Sequence, residues 1–148
     1  MILISHRGNI TGPNPERENS KDYILEALKQ GYSVEIDIWL IDSKIYLGHD
    51  SPEHEIGIEF LKNNLLWCHC KNIDALQLLL KNNVHCFFHQ EDDVTLTSNG
   101  YMWVYPGKKL VSNSVCVMPE RGYFGKLDLC YAICSDYVAD YAKNFNKL

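Results

Sequence analysis

Ser33-Val34-Glu35-Ile36-Asp37-Ile38-Trp39 decides how the rest of the chain is read, because it is an apolar strand interrupted by two carboxylates. Strand side chains alternate between faces, so Glu35 and Asp37 project together while Val34, Ile36 and Ile38 project the other way. Burying two neighbouring carboxylates bare is costly. Either they lie on a solvated strand face, or a cation and hydrogen-bond donors compensate them. Hard divalent ions, Mg²⁺ or Ca²⁺, take oxygen ligands of this kind.

Outward from this strand, further short apolar runs bounded by polar residues follow one another: Ile2–Ser5, Leu65–Cys70, His85–His89, Tyr101–Tyr105, Ser114–Met118 and Cys130–Cys134. Asp42-Ser43 separates two apolar runs and predicts a hairpin between Trp39 and Asp50. A helix is expected after Asn19-Ser20, with Gly31 as its left-handed stop. A second opens near Asn72, and a third follows Ser135-Asp136 with Val138, Tyr141, Ala142 and Phe145 on one face. A shorter one is expected over Ile58–Asn63. Strands alternating with helices predict a parallel sheet. The runs end at His6-Arg7, Glu35/Asp37, His69/Lys71, His89-Gln90, Tyr105-Pro106, Glu120-Arg121 and Ser135-Asp136. A parallel sheet gathers those ends on one face, where α/β proteins build their sites.

The 148 residues read as one domain, residues 1–148, with no linker or repeat; 46% are hydrophobic and 11% aromatic, enough for a core and against disorder. Fourteen basic against 19 acidic side chains leave a charge of −5, which argues against nucleic acid as a partner. No run approaches the roughly 20 apolar residues of a transmembrane segment. The N-terminus turns polar after four residues, too soon for a secretory signal. Cys68, Cys70, Cys86, Cys116, Cys130 and Cys134 lie in apolar runs and read as core thiols in a reducing, cytoplasmic compartment. Cys68-His69-Cys70 as part of a metal–thiolate site is the alternative. Nothing specifies an oligomeric state.

His6-Arg7-Gly8 joins a proton-exchanging imidazole to a guanidinium that fits phosphate, and His49-Asp50 supplies a second imidazole. Two histidines flanking a metal-binding carboxylate pair suit general acid–base chemistry on a phosphodiester.

Together with Glu18-Asn19-Ser20 and Glu35-Ile36-Asp37, these pieces resemble the opening signature of the glycerophosphodiester phosphodiesterases, members of the phospholipase C-like superfamily that fold as (β/α)₈ barrels. All four pieces occur in order over residues 4–50, and Ala132-Ile133-Cys134-Ser135-Asp136 is similar to the family's last strand and terminal Asp. The resemblance implies His6 and His49 as the catalytic acid–base pair, Arg7 and Lys71 as phosphate-binding residues, and Glu35 and Asp37 as ligands of a divalent cation. His69 stands where the family carries a carboxylate, a change of donor that bears on metal identity; Glu120 is a candidate for the missing carboxylate. Asp50 and His89 are further site candidates.

A full (β/α)₈ barrel needs about 250 residues. From His89 onward the strand ends leave little room for helices. The expectation is therefore a miniature or distorted TIM-type barrel of about seven to eight strands with few helices. Its expected activity is metal-dependent hydrolysis of a small glycerophosphodiester- or phosphoinositide-like phosphodiester. The alternatives are a non-catalytic domain binding phosphate or lipid head groups on the same scaffold, and a metal-dependent phosphomonoesterase. Glu91-Asp92-Asp93 reads as a solvated loop, His54 and His85 as surface or structural residues, and Trp39, Trp67 and Trp103 as core.

Overall fold

A computed structural model of the chain describes residues 1–123 and 125–145. Ten strands form one curled, half-barrel sheet accompanied by four α-helices. Its strands are β1 (Ile2–His6), β2 (Ser33–Ile41), β3 (Lys44–Leu47), β4 (His54–Ile56), β5 (Leu66–Cys70), β6 (Cys86–Phe88), β7 (Val94–Leu96), β8 (Met102–Val104), β9 (Ser114–Val117) and β10 (Ala132–Ser135). The helices are α1 (Lys21–Lys29), α2 (Ile58–Leu61), α3 (Ile73–Lys81) and α4 (Val138–Phe145).

Seven strands run parallel, in the order β6-β5-β2-β1-β10-β9-β8, and each corresponds to one of the apolar runs read in the sequence. The hairpin lies where Asp42-Ser43 predicts it, both residues having the positive φ of a tight primed turn (48° and 65°). Two strands were not expected. β4 extends the hairpin, and β7 pairs antiparallel with β8; each is three residues long and largely exposed, so neither leaves an apolar run. β7 also ties the sheet's two ends together, since Thr95 Oγ1 donates to the Phe88 carbonyl (2.8 Å). Among the described residues the connections from β6 to β10 hold no α-helix; besides β7 they carry 3₁₀ turns at Pro119–Arg121 and Leu127–Leu129.

The two faces of the sheet bury different cores. Val34, Ile36, Ile38, Cys68, Cys70 and Cys86 point outward and pack with Ile24 and Ala27 of α1 and Ala75 and Leu79 of α3. Ile4, Trp67, Phe87, Trp103, Val115, Ala132 and Cys134 form a second cluster on the inside. Strand β2 is thus buried on both faces from Ser33 to Ile38, and the solvated-face alternative for Glu35 and Asp37 does not hold. All six cysteines are buried and free, with Cys68 and Cys70 on the face opposite His69, which excludes a shared metal–thiolate site there.

Asn72 caps α3 by accepting from the Ala75 amide (3.0 Å). Ser20 makes no such bond at α1. Its neighbour Asn19, in the left-handed region (φ 59°), sends its side chain to Asp37 instead. Among the described residues no helix is long and apolar enough to cross a membrane.

Candidate functional site

Strand register assembles the site. His6 lies opposite Glu35 across β1 and β2, and Asp37 lies opposite His69 across β2 and β5. His6 and His69 share the inner face with Ile4 and Trp67 and lie one alternation nearer the C-terminal strand ends, while Glu35 lies opposite Trp67 across β2 and β5. Above them opens a cavity of about 520 Å³, lined among others by His6, Arg7, Glu35, His49, His69 and Lys71.

Glu35 lines its floor at 2% exposed, and Asp37, 0% exposed, is buried next to it on the same strand face. Cations surround them. Arg7 Nε is 3.2 Å from Asp37 Oδ2, Lys71 Nζ is 3.5 Å from Asp37 Oδ1, and His69 Nδ1 is 3.2 Å from Asp37 Oδ1 and 3.6 Å from Glu35 Oε1. Asn19 donates to Asp37 Oδ2 (2.9 Å) and accepts from its amide (2.9 Å). Burial alone would push the Asp37 carboxyl up, but His69, Arg7 and Lys71 outweigh it and hold the pKa well below the usual carboxylate range. Burial likewise opposes a charged His69, yet Asp37 and Glu35 raise its pKa to about 9.

Two buried oxygens, Glu35 Oε2 and Asp37 Oδ1, have no hydrogen bond; neither His69 nor Lys71 aligns a hydrogen on the latter despite its ion-pair distance. Such orphaned charge is expensive unless something further binds it. One ligand atom from each of Glu35, Asp37 and His69 can be chosen so that all lie within 4.8 Å of one another, a spacing that fits one metal ion.

Around this floor runs a hydrogen-bonded rim. His6 Nδ1 is 2.7 Å from Asp136 Oδ1, which leaves His6 Nε2 on the Glu35 side at 3.9 Å. Asn9 Nδ2 donates to both Asp136 (2.8 Å) and Glu18 (2.8 Å), and Arg7 Nη1 donates to Glu18 (3.1 Å). Burial disfavours charge on His6, but Asp136 and Glu35 prevail and its pKa is raised. Arg7 has φ 53° and Gly8 φ 94°; a Cβ on Gly8 would stand 2.7 Å from the Tyr23 ring. Left-handed backbone at a non-glycine residue costs about 1–2 kcal/mol. Here it turns the guanidinium back over β2.

His49 reaches the cavity from the end of the hairpin, 2.7 Å from Asp50 Oδ1, with its side chain 39% exposed. His6, Arg7, His49 and Asp50 also line a smaller adjoining cleft of about 310 Å³. His89 lines the main cavity, and its carbonyl accepts from His69 Nε2 (2.9 Å). Glu120 lies elsewhere: it accepts from Ser135 Oγ (2.8 Å) and the Asp136 amide (3.3 Å), buttressing the strand end that carries Asp136. His69 itself stands beside the carboxylate pair.

Sequence reasoning gave no role to Asp136, Asn9 or Arg121, the last of which lines both cavities. Asp136 and Arg121 carry the strand-end signal, whereas Asn9 carries none. Of the other expectations, Glu91–Asp93 is exposed, and His85 is buried against Trp67 with ring centroids 4.3 Å apart. Trp67 and Trp103 are core, with Trp103 also reaching the cavity lining, while Trp39 borders the cavity and donates to the Gly48 carbonyl (2.7 Å). No family model, curated protein or solved structure matches the chain.

Proposed function

We propose that the chain is a metal-assisted phosphodiesterase on a shortened TIM-type barrel, akin to the glycerophosphodiester phosphodiesterases its motifs resemble. The observation that carries this reading is the gathering of His6, Arg7, His49 and Lys71 around one cavity beside the buried Glu35 and Asp37 and the half-buried His69. A diester phosphate entering it meets the Arg7 guanidinium fork and the Lys71 ammonium, which offset charge growing on the phosphoryl oxygens. His6, held by Asp136 through Nδ1, turns Nε2 to the substrate.

His6 and His49 then act as the acid–base pair. One imidazole takes the proton of the attacking hydroxyl, supplied by the substrate's own alcohol or by water, as the new P–O bond forms. The other gives its proton to the departing alcohol as the old P–O bond breaks. A divalent cation at Glu35, Asp37 and His69, with Mg²⁺ and Ca²⁺ the ions that the carboxylate pair alone specifies, would supply Lewis-acid charge to a phosphoryl oxygen. The substrate class is a small diester of glycerol or inositol type, and the six free cysteines fit a cytoplasmic setting.

The test is hydrolysis of an aryl phosphodiester with Mg²⁺, Ca²⁺ or Mn²⁺ by wild type and His6→Ala. Turnover by wild type that collapses in the variant is expected. Equal rates in both contradict the mechanism. Phosphate binding without turnover favours a binding domain, and preference for the aryl monoester favours a phosphomonoesterase.

A further inference from the structure

We infer that the ion held at Glu35, Asp37 and His69 is a borderline transition ion such as Mn²⁺, Co²⁺ or Zn²⁺, selected over Mg²⁺ and Ca²⁺ by the His69 nitrogen. The inference rests on the metal-assisted reading above and concerns which ion that site prefers.

The imidazole is presented as a ligand. The His89 carbonyl can only accept, so His69 Nε2 carries a proton toward it at 2.9 Å, and Nδ1 is the atom that faces the two carboxylates. The ring also stacks on Phe87, with centroids 5.0 Å apart and planes 7° from parallel. A hydrogen-bonded far nitrogen and a packed ring fix the orientation of a ligating histidine. Bound metal takes the place of the Nδ1 proton.

Among the described residues, the acidic and histidine side chains close enough to share an ion are Glu35, Asp37 and His69, and Asp50 is engaged by His49. Asp136 is engaged by His6 and Asn9, Glu18 by Arg7 and Asn9, and Glu120 by Ser135 and the Asp136 amide. Charge points the same way. Mg²⁺ and Ca²⁺ depend on oxygen ligands and on ligand charge. Here Arg7 and Lys71 already stand 3.2 and 3.5 Å from Asp37 and offset much of the negative charge such an ion needs. A borderline ion gains from the nitrogen bond as well.

The experiment uses the full chain stripped of metal. Mg²⁺, Ca²⁺, Mn²⁺, Co²⁺ and Zn²⁺ are titrated by calorimetry into wild type and His69→Glu. Any nitrogen-free site also favours Zn²⁺ over Mg²⁺ to some degree, so the readout is the change in ratio. His69→Glu is expected to shift the Zn²⁺/Mg²⁺ affinity ratio toward Mg²⁺ by about tenfold or more. Pulsed electron paramagnetic resonance of the Mn²⁺-loaded wild type, with and without ¹⁵N-labelled histidine, should show a directly bound imidazole nitrogen. That measurement stands even if the variant does not fold. Metal binding without nitrogen coupling, or an unchanged ratio, overturns the inference while leaving the diesterase reading intact. Absence of binding by every ion overturns both the inference and the cation's part in the mechanism. Nitrogen coupling in a protein that cleaves no diester upholds the inference and removes the reading instead.

Discussion

His69 and His85 both face the inside of the curled sheet, one on β5 and one at the start of β6, and their surroundings drive them in opposite directions. His85 lies at the lower level among Trp67 and Tyr101, with Nε2 unpartnered, and burial pushes its pKa down to about 4. His69 lies at the upper level, where Asp37 and Glu35 overcome a burial penalty of the same kind and raise its pKa to about 9. The lower level is a neutral aromatic core that closes the inside of the sheet. The upper level concentrates the charge of Glu35, Asp37 and the cations around them. Burial sets the scale of an electrostatic effect, and the partner sets its sign.

The largest expected effect belongs to the upper level. His6→Ala should lower aryl diester hydrolysis by about 10²–10⁴-fold, the range of a general acid–base group. Circular dichroism should stay that of the wild type. Asp136→Asn should lower the rate less and move the His6 titration midpoint down, since the carboxylate raises it.

The lower level should answer first in stability, although Phe87 also stacks on His69. Phe87 is 1% exposed and packs on Trp103 with ring centroids 4.5 Å apart. Phe87→Ala is expected to cost about 3–5 kcal/mol in urea denaturation, as large-to-small core changes do. A comparable loss from Asp37→Ala, about 3–5 kcal/mol from leaving Arg7, Lys71 and His69 facing a vacated carboxylate, would show that both levels are structural. If Asp37→Ala instead proved neutral, the upper level would owe nothing to its ion pairs.

A smaller effect separates the two histidines directly. In metal-free protein, NMR titration should give a midpoint near 9 for His69 and near 4 for His85. The folded His69 binds its proton more tightly than the unfolded chain does. Its contribution to stability is therefore complete below pH 6.5 and is lost as pH rises through about 9. His85 has the opposite sign: its contribution is present above 6.5 and is lost as pH falls through about 4. Coincident midpoints for the two would erase the contrast. Smallest of all, Asn72→Ala should cost about 1 kcal/mol through the lost α3 cap. Ser20→Ala, where no cap bond exists, should cost less than half that.

The levels also differ in how far the sequence revealed them. All seven parallel strands are legible as short apolar runs, and α1, α3 and α4 as capped or periodic segments. Three-residue β4 and β7 are not, because they bury too little to leave a pattern. Glu35, Asp37, Arg7 and Lys71 could be named from strand ends and motif spacing. His69 could be noticed only as an unusual donor, since its meeting with Asp37 depends on the register between β2 and β5. The same holds for Asp136 and His6, whose contact joins opposite ends of the chain. Alternation assigns a face to a residue, but cross-strand register decides its neighbour, and register emerges only from packing the whole sheet.

The most direct test of the site is a crystal structure of the full chain soaked with Mn²⁺ or Co²⁺ and glycerol phosphate, with anomalous data at the metal edge. The account predicts one anomalous peak bounded by Glu35, Asp37 and His69 Nδ1, with the phosphate on Arg7 and Lys71 and within reach of His6 Nε2. A metal bound only elsewhere, or a phosphate seated outside that cavity, would contradict it.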